Sequence, residues 1–166
     1  MINEELTGRI INSFYKVYNT LGYGFIESVY HNALIVEIVG SGLSVEVKKP
    51  IAVYYGANVI GKFEADLVVE ERVIVELKAK ERLHPAHEAQ LTNYLRATDI
   101  QVGLLFNFGK VAEFKRKLFV DRKPVDEADH GKAVGCAGAV INLIAPRHGS
   151  EAAEFGFNSK SHFAAS

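Results

Sequence analysis

The sequence predicts an α/β fold, a mixed sheet flanked by helices. Three observations carry that prediction. Apolar residues recur at steps of three and four up to Gly40, the period drops to two from Val45, and a proline-led helical stretch separates two later runs of strand-forming residues. The element order is α-α-β-β-β-α-β-β.

A first helix is expected over Asn3 to Leu21, where Leu6, Ile10, Phe14, Val17 and Leu21 share one face. Glu4 and Glu5 favour its positive end, and Gly22 and Gly24 close it. A second helix runs from near Ile26 to Val39 and stops at Gly40-Ser41-Gly42. Strands follow at Val45 to Tyr55, Val59 to Val69 and Val73 to Ala79, joined by Gly56-Ala57-Asn58 and Glu70-Glu71-Arg72. Pro50 cannot donate to a ladder, which argues for an edge strand or a break. Val73-Ile74-Val75 is apolar on both faces, which suits a central strand. Pro85 opens a third helix to about Ala97, with Leu91 and Leu95 facing the core. Val102 to Phe106 reads as a buried strand, Asn107 to Lys110 as a turn, and Val111 to Val120 as the last strand. Residues 1–123 form the domain. Residues 124–166 lack a sustained period and are rich in Ala, Gly, Ser and His. We expect a poorly ordered or loosely packed tail, with at most a short helix near Val140 to Ala145.

Composition narrows the classes of function. A hydrophobic fraction of 48% with 23% charged residues supports one folded core. The formal net charge of -1 rules out a polybasic protein, so any nucleic-acid contact must come from a local patch. Cys136 is the single cysteine, which excludes an internal disulfide framework and a zinc site built on several thiolates. A reducing, cytoplasmic setting is expected, since the N-terminus has no signal-peptide pattern and no apolar run reaches the roughly 18 residues of a membrane span.

The candidate chemistry begins at Glu76-Leu77-Lys78, where the most buried strand turns charged and its two polar side chains share a face. Glu-x-Lys is also common where a strand simply leaves the core. Asp66 interrupts an otherwise largely apolar strand. A three-residue connection, Glu70 to Arg72, sets it opposite Glu76 on the same face. Two carboxylates that close repel unless a cation lies between them, and oxygen ligands suit Mg²⁺ or Mn²⁺. The plainer alternative is a solvated Asp66 paired with Lys78. Glu27 and Tyr30 share a helix face one turn after Gly24, and Gln90 and Tyr94 share a face of the third helix. Both pairs also read as amphipathic boundary positions. Lys80, Arg82, Lys115, Arg116 and Lys117 offer phosphate contacts, although lysines on an edge strand also discourage sheet-to-sheet pairing. His84, His87 and Cys136 receive no role.

Gly24-x-x-Glu27-x-x-Tyr30, Asp66, Glu76-Leu77-Lys78 and Gln90-x-x-x-Tyr94, in that order, resemble the G-x-x-E-x-x-Y proteins, a branch of the PD-(D/E)xK nuclease superfamily. The stretches His87 to Leu95 and Val102 to Gly109 resemble that branch too, and the resemblance covers roughly Leu6 to Val120. It implies a restriction-endonuclease-like sandwich and metal-dependent phosphodiester hydrolysis in DNA or RNA. Asp66, Glu76, the Leu77 carbonyl and Glu27 would then hold Mg²⁺ (or Mn²⁺). Lys78 would orient the attacking water or offset developing charge, and Gln90 would support the site. Tyr30 and Tyr94 would join the basic residues in contacting nucleic acid. Ala65 stands where many members carry proline. The superfamily also contains members without catalysis, so a catalytically inactive module that binds nucleic acid or a protein partner is the alternative. A homodimer is left open.

Overall fold

The change of hydrophobic period near Val45 falls where the chain leaves its helices for its sheet. The structure is a computed structural model and describes residues 2–120 and 139–144. The elements are α1 (Glu4–Leu21), α2 (Glu27–Gly40), β1 (Val45–Tyr55), β2 (Asn58–Val69), β3 (Val73–Lys78), α3 (Pro85–Arg96), β4 (Val102–Phe108), β5 (Ala112–Val120) and β6 (Ala139–Ile144). The strands form one sheet in chain order, β1-β2-β3-β4-β5-β6. Every neighbouring pair is antiparallel except β3 and β4. Parallel neighbours need a crossover, and α3 supplies it. The doubly apolar β3 is internal and the Pro50-bearing β1 lies at the edge, as their sequences predict.

Two apolar cores cover the two faces. On one, Ile10, Phe14 and Val17 of α1 and Tyr30, Leu34 and Ile38 of α2 meet Val73, Val75, Leu77, Leu104 and Phe106. Phe14 stacks on Phe106 at a centroid distance of 4.4 Å, and Tyr30 on Phe108 at 4.3 Å. On the other face, Leu91, Tyr94 and Leu95 of α3 meet Val68, Ile74 and Leu105. Each Leu, Ile or Phe withdrawn from water contributes roughly 1.5–3 kcal/mol. Gly103 lets α3 lie close to β4, because a Cβ there would come within 2.7 Å of Leu91 Cδ1. Among the described residues no helix is long and apolar enough to cross a membrane.

The structure departs from expectation in two places. Asn107 and Phe108 belong to β4 rather than to a turn. Asn107 is tolerated inside the strand because its amide is satisfied twice: Lys80 N–H donates to Oδ1 at 3.0 Å, and Nδ2 donates to the Lys80 carbonyl at 2.9 Å. The second departure is β6. The expected short helix near Val140 is a strand, paired antiparallel with β5 from Lys115↔Ile144 to Val120↔Ala139. The outer edge of β5 offers a free row of backbone groups, and a β-branched, apolar stretch satisfies it. The rest of the tail, 121–138 and 145–166, with Cys136, lies outside the described residues.

Candidate active site

The turn between α1 and α2 explains the Gly24, Glu27, Tyr30 spacing. Gly24 has φ +112°, a value that L side chains rarely adopt. Tyr30 is fully buried. Its hydroxyl donates to the Gly22 carbonyl at 2.8 Å and accepts from the Phe25 N–H at 3.2 Å. The turn so anchored starts α2 at Glu27, whose Oε2 accepts from the Ala79 N–H at 3.3 Å, just past the end of β3. Tyr30 therefore holds the backbone that presents Glu27. A side chain with no exposed surface does not contact nucleic acid, which corrects that assignment.

The β2–β3 hairpin brings the charged residues together. Its register runs Val69↔Val73, Val68↔Ile74, Leu67↔Val75, around the three-residue connection Glu70 to Arg72. The ladder ends at Leu67↔Val75, one residue short of Asp66 and Glu76, which follow it on the two strands. Asp66 Oδ2 accepts from the Leu77 N–H at 3.0 Å, so the side chain stands in for a ladder partner. Its Oδ1 accepts from Lys48 Nζ at 2.8 Å. The His31 ring on α2 reaches the Asp66 carbonyl, with Nε2 at 3.3 Å. Glu76 is 2% exposed. Its Oε1 accepts from Lys78 Nζ at 2.8 Å, while Oε2 is buried with no hydrogen-bond partner.

Burial, then the neighbouring Asp66, push the Glu76 carboxyl up to about 7, against the opposing pull of Lys78. Burial works against the Lys78 charge, but Glu76, Glu27 and Asp66 together outweigh it and raise the ammonium above its ordinary value. Such displacement of an acid and its neighbouring base is characteristic of functional sites.

The helix α3 closes the site. Gln90 Nε2 donates to the Tyr94 hydroxyl at 2.7 Å, and Tyr94 is raised first by burial and further by the fields of Glu76 and Asp66. Tyr94 is 3% exposed, so it lines the site from within rather than from the surface. His84 and His87 form a reciprocal cap on α3. The Ala86 N–H donates to His84 Nδ1 at 3.2 Å, and the His84 N–H donates to His87 Nδ1 at 3.1 Å. Burial, then Lys78, hold the His87 imidazole below its usual range.

The predicted basic surface divides. Lys80 and Arg82 follow β3 and are exposed. Lys115, Arg116 and Lys117 do not make a common surface, because alternation on β5 sends Arg116 to the opposite face. Lys115 and Lys117 both pair with Glu88 of α3. Arg116 is buried, and its Nη2 donates to the Ile2 carbonyl at 2.5 Å. Lys117 is 3% exposed. Period-two alternation within β5 carried this signal. Lys48, His31 and Asn107 are contributors that sequence reasoning missed. Of these, only Asn107 left a sequence trace, a polar residue at the end of an apolar run.

A hard cation fits the donors in part. Oxygen ligands are at hand in Asp66, Glu76 and Glu27, and Glu76 Oε2 is a buried acceptor with no partner. Each of the other carboxylates is turned to a local donor. Among the described residues no three His, Cys, Asp or Glu side chains converge as a metal cluster. The four predicted ligands, Asp66, Glu76, Leu77 and Glu27, are thus neighbours without forming a coordination sphere here.

Comparison with known proteins adds one match. Residues 4–118, which span every candidate site residue described above, fit the family model described as the PD-(D/E)XK nuclease superfamily. No curated protein and no solved structure matches the chain.

Proposed function

The chain belongs to the PD-(D/E)XK nuclease superfamily, and from that premise we propose that it is a metal-dependent nuclease, hydrolysing phosphodiester bonds in DNA or RNA. The observation that carries this reading is the Glu76 carboxylate: buried, raised to about 7, with Oε2 unpartnered, beside Asp66 and Lys78. A buried polar oxygen without a partner costs on the order of 1–3 kcal/mol, a cost that a bound cation removes. Asp66, Glu76, Glu27 and the Leu77 carbonyl are the residues that would hold Mg²⁺ or Mn²⁺. Bound there, the ion would acidify a water and offset charge on the phosphate. Lys78 places an ammonium at the same carboxylate, where it orients the nucleophile or stabilises charge as the ester breaks. Gln90 fixes the Tyr94 hydroxyl at the wall of the site, and Lys80 and Arg82 supply exposed cations for the phosphate backbone. The Gly24, Glu27, Tyr30 arrangement supports placing the chain in the G-x-x-E-x-x-Y branch.

One observation favours the second reading, a catalytically inactive module that binds nucleic acid. Asp66 and Glu76 are each already paired with a lysine, Lys48 and Lys78. The test is a panel of labelled single- and double-stranded DNA and RNA, incubated with Mg²⁺, Mn²⁺ or a chelator. We expect cleavage only with metal, reduced at least about 100-fold in Glu76→Ala. Cleavage that persists in chelator, or in Glu76→Ala, overturns the nuclease reading. Binding of the panel with no cleavage by the parent establishes the second.

A further inference from the structure

Lys48 lies within β1, yet its φ is 54°, in the left-handed region that L side chains rarely adopt. The other non-glycine residues with positive φ among the described residues are Asn3, at the N-cap of α1, and Glu70 and Glu71, in the β2–β3 connection. Those are places where a chain starts an element or reverses. Lys48 is neither. The β1–β2 ladder pairs Val47 with Leu67 and Lys49 with Ala65, and passes over Lys48 where the register would set it opposite Asp66. A strained residue in a strand, at the one position facing a buried carboxylate, points from geometry to role.

Its side chain supplies the reason. Lys48 Nζ stands 2.8 Å from Asp66 Oδ1 and 3.9 Å from Glu64 Oε1. The Asp66 side chain is 12% exposed and that of Lys48 is 50% exposed, so Lys48 is the partner open to solvent. Lys78 is different, with 12% of its side chain exposed. One lysine is largely enclosed and the other is half exposed. A divalent cation held by Asp66 would compete with Lys48 for the same carboxylate and repel its charge, whereas a phosphate entering from solvent would attract it.

We propose that Lys48 is the exchangeable counter-ion of Asp66: it holds the carboxylate in the metal-free protein, is displaced when a divalent cation takes its place, and then turns its ammonium to the substrate phosphate. The proposal rests on the nuclease reading above. It gives opposite signs for two measurements on one variant, an outcome that a purely structural lysine does not produce.

The test uses the full chain. Mn²⁺ affinity is measured by titration calorimetry, and cleavage by single-turnover assay at saturating Mn²⁺. Lys48→Gly keeps the backbone, because glycine adopts this φ freely, and Lys48→Asn is a second variant that tolerates it. We expect both to bind Mn²⁺ about three- to tenfold more tightly and to cleave at least about tenfold more slowly, with Lys48→Arg between them and the parent. Affinity that is unchanged or weakened in the two folded variants, or cleavage at the parent rate, overturns the proposal. A parent that binds Mn²⁺ and cleaves while its variants do not differ removes the Lys48 role alone. A parent that neither binds nor cleaves removes the nuclease reading and this inference with it.

Discussion

The two faces of β3 are built to different rules. Toward α1 and α2, Val73, Val75 and Leu77 enter an apolar core, although α2 also sends Glu27 to the Ala79 N–H and His31 to the Asp66 carbonyl. Toward α3, Ile74 enters a core of the same kind, but Glu76 and Lys78 come next on that face, with Asp66 beside them. The same strand, with a side-chain period of two, thus carries a packed wall on one side and a charged site on the other. On the first face the cost of a change is set by volume. On the second it is set by charge, and by which cation answers it.

The largest expected effect tests the packed wall. Phe106→Ala empties a site stacked on Phe14 and should lower stability by about 3–5 kcal/mol in urea denaturation, with cleavage per folded molecule retained. A loss under about 1 kcal/mol would mean that this face is not the stabilising one. Next comes Lys78→Ala on the charged face. Single-turnover cleavage should fall by about 10²–10³ while Mn²⁺ still binds, because the interaction is made mainly in the transition state. Cleavage at the parent rate would break the proposed mechanism and leave the fold intact.

The third effect is a pH dependence. The Glu76 carboxyl is raised from 4.5 to about 7 by burial and by Asp66. The folded state therefore holds a proton that the unfolded chain gives up. That contribution to the stability of the metal-free protein is full below the unfolded value and is lost as pH rises through 7, a change of roughly 3 kcal/mol. Glu76→Gln cannot ionise and should flatten this part of the profile in chemical denaturation across pH. Parallel profiles for parent and variant would show that the site does not store the charge as described.

Much of this contrast was legible in the sequence. Periods near four and of two gave the helices and strands, and the three-residue link gave the β2–β3 hairpin, whose ladder stops one residue short of Asp66 and Glu76. The doubly apolar Val73-Ile74-Val75 gave the internal strand. What escaped depends on tertiary context. Nothing local marks a lysine for a left-handed φ, so Lys48 was invisible. Tyr30 looked like a boundary residue because a turn that consumes its hydroxyl cannot be seen in helical spacing. The pairing of Lys115 and Lys117 with Glu88 depends on α3 lying across β5, a packing that spacing along β5 does not reveal. The strand β6 needed the free edge of β5, which exists only once the sheet is assembled.

The placement of the four central charges has a consequence for the order of folding. Lys48, Asp66, Glu76 and Lys78 all lie on β1, β2 and β3, consecutive strands joined by short turns. The β3–β4 pairing instead joins partners such as Val73 and Val102 across a helical crossover. Short connections close early and long ones late, since loop entropy opposes distant contacts until many form together. The three-stranded meander can therefore gather both carboxylates with both lysines while water still screens them. By the time α3 and β4 arrive to bury the cluster, each acid already has its base, and the chain is not required to carry an unmatched charge out of water at any step.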